Sequence, residues 1–346
     1  MNRPPNTPLP RGVLALSQLL PHLDSHSLLH EASPLGRTPY LLVDLARETL
    51  PNDAALLLQP LRHQPCPVIG ITPAPELLPP EVAACFDTLV ADSEAAAPLE
   101  KNIRANPMAA MTLVQLLRLT EKLGVEEGLL AESLAYATLQ GGAEARACLA
   151  ARKRTAHRSP EQELPLLVQR EESRLTITLN RPAHRNAYSV AMRDALIEAL
   201  ELLALDSSIK QAVLNGNGSC FCTGGDLTEF GTAPDTATAH TIRSVHNAAR
   251  MIHRQAHRIE AHLHGACIGS GIELPAFAGR VIANPDTFFQ LPELGLGLIP
   301  GAGGTVSITR RIGRHRMAWL TLSARKINAR TALAWGLVDE TPSVTS

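Results

Sequence analysis

The sequence has 346 residues, a formal net charge of −1 and 19% charged residues, a balance that gives no electrostatic case for nucleic acid or an acidic membrane surface. Aromatic residues are only 3%, which argues against a base-stacking surface, while 45% hydrophobic residues suit a globular chain long enough for two domains. The six cysteines, at 66, 85, 148, 220, 222 and 267, lack zinc-finger spacing and read as free thiols in a reducing compartment. Residues 1–8 lack the apolar core of a signal peptide, and no run of about 18 apolar residues occurs, so the expectation is a cytoplasmic protein without a membrane span.

Residues 1–38 are rich in Pro, Ser and His and carry only short apolar pieces. Residues 40–44 and 67–71 predict short buried strands bounded by turn signals, and 82–98 is Ala-rich and ambiguous. Asn106-Pro107 opens a helix in which Leu113, Leu116, Leu117 and Leu119 recur at helical spacing until Gly124 ends it. Helices over 126–139 and 143–154 follow, separated by Gly141-Gly142, and residues 151–160 read as a basic, proline-ended hinge. These residues group as an N-terminal extension, 1–160, mainly helical from about residue 106.

A second unit, 165–346, begins near Pro165. Leu175, Ile177 and Leu179 alternate with Thr176 and Thr178, predicting a half-buried strand. Ser189 is placed as the N-cap of a helix through Leu203, and residues 211–214 predict another strand before the Asn215-Gly216-Asn217-Gly218 turn. Helices are expected over 238–257, over 271–277 and from Thr305 to a break at Gly313, with strands over 259–263 and 281–283. Repeated strand-then-helix units predict an α/β fold with a sheet covered by helices.

Three loops within 220–305 carry the chemistry. The first is Cys220-Phe221-Cys222-Thr223-Gly224-Gly225-Asp226. The second runs from His264-Gly265 to Glu273, and the third holds Pro292-Glu293 followed by Gly301-Ala302-Gly303-Gly304-Thr305. Glycine-bearing turns before helices leave backbone N–H groups free to face developing negative charge, and the second and third loops each add a glutamate. Paired donors with two carboxylates are the parts that acid/base chemistry beside a thioester carbonyl requires. The Gly301-to-Gly304 run lacks the Lys-Ser/Thr that completes a phosphate-binding loop. Glu260, His262 and His264 share one face of a strand and read as a polar patch rather than a metal site, and Cys222 and Cys267 as pocket lining.

Residues 175–340 resemble the crotonase superfamily of enoyl-CoA hydratases and isomerases. The resemblance rests on six pieces in the family's order: Asn180-Arg181-Pro182 with Arg185-Asn186-Ala187; Phe221 through Asp226; Gly265 through Glu273; Pro292-Glu293; Gly297 through Thr305; and Ala334-Trp335-Gly336-Leu337-Val338-Asp339. It implies a crotonase-like spiral of ββα units binding an acyl-CoA, with no metal and no cofactor beyond the coenzyme A carried by the substrate. It places backbone oxyanion donors at Gly225 and Ser270 and catalytic carboxylates at Glu273 and Glu293. It also implies substrate contacts at Thr223, Gly224, Asp226, Leu227, Gly269 and Gly301. Ser270 stands where the family usually has glycine, Gly225 where hydratases often have alanine, and Gly279 where aspartate is common.

The expected reaction is reversible hydration of a 2-enoyl-CoA. Isomerisation, thioester hydrolysis and cofactor-independent oxygenation are the alternatives, and an inactive scaffold or binding protein is the non-enzymatic one. The resemblance implies a homo-oligomer, a trimer or dimer of trimers. The chain reaches Ser346 soon after Val338, so the family's C-terminal helical region is expected to be missing. Residues 132–136, Glu-Ser-Leu-Ala-Tyr, and the helices around them resemble that region, which predicts that the N-terminal helices pack on the catalytic core.

Overall fold

A computed structural model describes residues 12–23, 25–151 and 164–342. Apart from Ala151, the expected hinge at 151–160 lies outside the described residues.

The first strands are short and buried: β1 (Val13–Ala15), β2 (Leu41–Asp44), β3 (Val68–Ile71) and β4 (Thr88–Val90). They form an all-parallel sheet in chain order. Parallel pairing needs crossovers, which the His26–Glu31, Ala54–Leu58 and Pro80–Ala83 helices supply. β4 falls in the Ala-rich stretch that carries no clear pattern: three residues are too few to show alternation.

Helices then run Ser93–Ala105, Pro107–Thr120, Val125–Gln140 and Ala143–Ala151. The run of consecutive longer helices therefore starts at Ser93, ahead of the expected residue 106. The first helix contains Pro98, which reads as a break in sequence, but Asp92 caps the helix by accepting from the Ala95 amide at 2.8 Å.

The second half supplies β5 (Leu166–Glu171), β6 (Arg174–Leu179), β7 (Gln211–Gly216), β8 (Ile259–Leu263) and β10 (Arg280–Ala283) to one sheet of order β10-β8-β7-β6-β5. All neighbours in it are parallel except the β5–β6 hairpin. A second sheet of order β12-β11-β9 holds β9 (Ala266–Ile268), β11 (Phe288–Gln290) and β12 (Ile327–Asn328). Successive strands alternate between the sheets, β8 then β9 and β10 then β11. Cys222, following β7, makes a parallel bridge to Cys267 of β9. Each pair thus turns a corner, giving a spiral of ββα units.

Two expected helices are divided. The span 238–257 is Thr236–Val245 and Ala248–Arg254, because Asn247 starts a new helix by accepting from the Arg250 amide at 2.9 Å. The span 271–277 is Ser270–Glu273 followed by a 3-10 turn at Pro275–Phe277, where proline has no N–H to continue the ladder.

The hydrophobic cores do not divide at residue 160. The smaller core draws on residues 14–86, whereas the larger joins the helices from Ala96 to Ala145 with the spiral as far as Val338. The Val125–Gln140 helix packs against Thr236–Val245 and Gly304–Ile312. A polar seam holds the N-terminal sheet in place: Thr88 Oγ1 donates to the His315 carbonyl at 3.0 Å, and buried Arg314 reaches the Ala84 and Phe86 carbonyls at 2.9 and 2.8 Å.

Candidate active site

The loop at 181–186 builds the frame of the first glycine turn. Arg185 and Asn186 take φ of 52° and 51°, and Asn186 has 0% exposure. The Asn186 side chain accepts from the Arg181 amide at 2.8 Å and donates to the Asn217 and Cys220 carbonyls at 2.8 and 3.1 Å. Asn186→Ala leaves the buried Arg181 amide and Cys220 carbonyl and the part-buried Asn217 carbonyl without this partner, and is expected to cost about 2 kcal/mol in urea denaturation. The Arg181 guanidinium donates to Asp226 Oδ2 at 3.2 Å from both Nη atoms, and Asp226 Oδ1 accepts from the Thr228 amide and hydroxyl at 3.1 and 2.7 Å. Burial pushes the Asp226 carboxyl up, but these hydrogen bonds outweigh it and hold the group below its ordinary range. Asp226, expected to touch substrate, is engaged in shaping the loop. Leu227 is 48% exposed. Thr223 is tied to the Arg185 carbonyl, through its amide at 3.2 Å.

The first two glycine turns lie against each other. The Cys222 amide donates to the Ala266 carbonyl at 3.2 Å and the Ile268 amide to the Cys222 carbonyl at 3.0 Å. Gly224 and Gly269 take φ of +93° and +51°, and a Cβ on Gly269 would stand 3.6 Å from Gly224 Cα. The next amides along, Gly225 and Ser270, donate to no acceptor among the described residues. Cys222 and Cys267 are packed in the hydrophobic core rather than lining a pocket. Burial pushes the Cys222 thiol up to about 11, far from nucleophilic character at neutral pH.

Three carboxylates converge beside these turns. Glu273, 2% exposed at the end of the Ser270–Glu273 helix, accepts through Oε2 from the Ala302 and Gly304 amides at 2.8 and 3.0 Å. A Cβ on Gly304 would sit 2.6 Å from Glu273 Cγ, so glycine is required for this approach. Glu293 opens the Glu293–Leu296 turn. Its Oε1 lies 2.5 Å from where a Gly269 Cβ would be, and its Oε2 is sealed from solvent with no hydrogen-bond partner. The third carboxylate is Glu132 of the Val125–Gln140 helix. It accepts from the Gly303 amide at 2.7 Å, and from the Thr305 amide and hydroxyl at 3.0 and 2.6 Å.

Burial dominates the titration of all three. It raises Glu132 to about 7, against the hydrogen bonds from Thr305 and Gly303. It raises Glu293 to about 8, with the Glu132 charge adding to the rise. Glu273 is driven well above the ordinary range by burial and then by the Glu293 and Glu132 charges, against the Ala302 and Gly304 amides. In the sequence Glu132 falls in the 132–136 segment expected to pack on the core, but its carboxylate was given no role there. Its spacing from buried Leu129 and from Tyr136, three before and four after, was the available signal. Gly301 packs beneath the Tyr136 ring, where a Cβ would meet ring carbons at 2.4 Å.

Outside this cluster, Glu260 pairs with His262 at 2.5 Å and Arg280 at 3.1 Å, and His264 bonds the Gly218 carbonyl at 3.0 Å. A cavity of about 720 Å³ lies between the His26–Glu31 helix and the Pro107–Thr120 and Ala143–Ala151 helices, lined by Leu29, Met108, Met111 and Leu139 among others. None of the three carboxylates or two glycine turns lines it, so the unpartnered donors and acceptors, not cavity size, locate the chemistry. Among the described residues no helix is long and apolar enough to cross a membrane.

The enoyl-CoA hydratase/isomerase family profile matches residues 169–345. The chain is 36% identical over 175 residues to 2,3-dehydroadipyl-CoA hydratase of Escherichia coli K12, covering 51% of this chain and 68% of that protein. It is 31% identical over 173 residues to 1,2-epoxyphenylacetyl-CoA isomerase of the same organism, covering 49% and 66%. The crystal structure of an enoyl-CoA hydratase from Thermoplasma volcanium overlaps 52% of this chain and 73% of its own, with 31% identity and a TM-score of 0.49. The residues matched by the family profile lie in the spiral and do not include the helix that carries Glu132. The chain belongs to the enoyl-CoA hydratase/isomerase family and is an enzyme of that kind.

Proposed function

We propose that the protein catalyses the reversible hydration of a 2-enoyl-CoA, with no cofactor beyond the coenzyme A on its substrate. The observation that carries this reading is the meeting of two unpartnered amides, Gly225 and Ser270, with the unpartnered carboxylate oxygen of Glu293 at the Gly224–Gly269 contact. When water adds at the β-carbon, the thioester oxygen gains negative charge. Two fixed N–H donors stabilise that charge, each by on the order of 3 kcal/mol. Glu293, in its ionised form and with Oε2 free, takes the proton of the attacking water, so activity should rise as pH rises toward about 8. Glu273, with only Oε2 held by backbone amides, delivers a proton to the α-carbon from a carboxyl kept protonated by burial. The reverse reaction exchanges these roles.

The same geometry favours a second reading. Since amides engage Glu273 while Glu293 Oε2 has no partner, one carboxylate could carry a proton between the α- and γ-carbons, which is double-bond isomerisation. The discriminating experiment supplies crotonyl-CoA and a 3-enoyl-CoA separately. Hydration predicts loss of the conjugated enoyl absorbance from the first. Gain of that absorbance from the second, with crotonyl-CoA untouched, would favour isomerisation. Binding without turnover of either would defeat both.

The raised carboxyls also bear on stability. Glu293 titrates near 8 in the folded protein against an ordinary 4.5, so folding favours its protonated form. The corresponding stabilisation is present below the ordinary value and is lost as pH rises through about 8. Tm is therefore expected to fall between pH 5 and pH 9, and Glu293→Gln to reduce that fall, as read by calorimetry.

A further inference from the structure

Glu132 lies outside the family-matched residues 169–345, yet its carboxylate is 2% exposed and sits inside the site. Four successive amides, 302–305, are shared alternately between two carboxylates: Ala302 and Gly304 donate to Glu273, and Gly303 and Thr305 to Glu132. Gly303 takes φ of +101°, which turns neighbouring N–H groups to opposite sides. The turn ends at the start of the Gly304–Ile312 helix, whose first amides have no partner within the helix itself. Neither carboxylate can be removed without freeing two amides that the other does not reach.

The helix bearing Glu132 is also fixed from the other side. Ser133 Oγ contacts His240 Nδ1 at 2.9 Å and accepts from Arg243 Nε at 3.1 Å. The Arg243 guanidinium lies 4.7 Å from the centre of the Tyr136 ring, which covers Gly301. His240 and Arg243 belong to the Thr236–Val245 helix that follows the Gly225 turn.

We propose that Glu132 is a positioning residue of the active site, a third buried carboxylate that clamps the 302–305 turn against Glu273 and places a negative charge beside it. The role assigned to Glu273 rests on the hydratase reading; the clamp itself rests on the geometry. A residue that only held the turn would be replaceable by any acceptor of the same shape. A charged neighbour also sets how readily Glu273 ionises. The charged and titratable groups facing Glu132 are Glu273, Glu293 and Arg243 across the site and Tyr136 on its own helix.

The test follows the glutamate carboxyls by NMR across pH in the full chain labelled with 13C at the side-chain carboxyl, using Glu273→Gln and Glu293→Gln for assignment. Glu132→Gln keeps one oxygen to accept from the turn but loses the charge. It is expected to lower the Glu273 midpoint by about one pH unit. With crotonyl-CoA it is expected to lower kcat at least about tenfold with little change in KM, and to move the kcat–pH profile in the same direction. Glu132→Asp, which keeps the charge on a shorter arm, is expected to leave the Glu273 midpoint near its original value. An unmoved midpoint and an unmoved pH profile in Glu132→Gln would overturn the proposal. Should that variant not fold, Thr305→Val removes one donor to Glu132 and is expected to raise the Glu132 midpoint; no movement there would overturn it equally. A wild-type protein that turns over no enoyl-CoA, while Glu132→Gln still shifts Glu273, would count against the hydratase reading and leave the clamp standing.

Discussion

Glu293→Gln lowers kcat for crotonyl-CoA hydration by at least about 100-fold, the scale of a lost general base, and leaves thioester binding almost unchanged. The expectation follows from position. Glu293 Oε2 is shut off from solvent and satisfied by nothing, and Oε1 stands over Gly269, one residue before the Ser270 amide. A carboxylate left unpaired in such a place costs stability, which burial expresses as a titration near 8. The amide of glutamine has the same shape but cannot take a proton, so the binding surface survives and the chemistry does not. Glu273→Gln is expected to lose activity on a similar scale; its amide oxygen can still accept from the Ala302 and Gly304 amides, which both donate to one carboxylate oxygen, so the turn is kept while the proton donor is lost. Steady-state kinetics with the two variants measure both effects. Near-normal kcat in both would show that the acid/base assignment is wrong.

The second large effect is on stability. Arg314→Ala is expected to destabilise the protein by about 3–5 kcal/mol, as for breaking a buried ion pair. Arg314 donates to the Ala84 and Phe86 carbonyls, to Asp87 at 3.3 Å and to Glu121 at 2.8 Å. Asp87 keeps Arg118 and the Val68 amide as partners, each at 2.8 Å, but the two carbonyls lose their only side-chain donor from Arg314's helix apart from His315 at Phe86. The seam joins the four-stranded sheet to the helix that follows Gly304–Ile312, so its loss should also loosen the N-terminal helices. Urea denaturation checks the magnitude. A change under about 1 kcal/mol would mean the N-terminal sheet is not docked through this arginine.

The parts legible in the sequence were those whose chemistry is local. Gly224, Gly269 and Gly303 take positive φ, so glycine at those positions marks the turns directly. Glu273 and Glu293 stand at fixed offsets from those turns, and the structure brings both carboxylates beside them. The strands at 175–179 and 259–263 were readable because one face of each is buried, and 211–214 because Ala212, Val213 and Leu214 form a short run buried on both faces. What escaped depends on partners distant in sequence. Asp226 is adjacent to an oxyanion-type turn and reads as a substrate ligand, but Arg181 lies 45 residues away and claims it. Glu132 lies in a segment expected to pack on the core, but its acceptor role is defined by amides 171 and 173 residues on. β9 and β11 are three residues each, too short for alternation, and exist because the spiral presents edges for them to pair with. The resemblance of residues 132–136 to helices that cover the core in relatives did anticipate the packing of that helix, but not the carboxylate it delivers.

The most direct measurement on the central claim is the infrared carbonyl stretch of a 2-enoyl-CoA labelled with 13C at the thioester carbon, bound to Glu293→Gln so that turnover is slow. If the Gly225 and Ser270 amides both hold the thioester oxygen, the carbonyl is polarised and its stretch falls below that of the free thioester in water. A stretch at or above the free value under saturating binding would contradict the account.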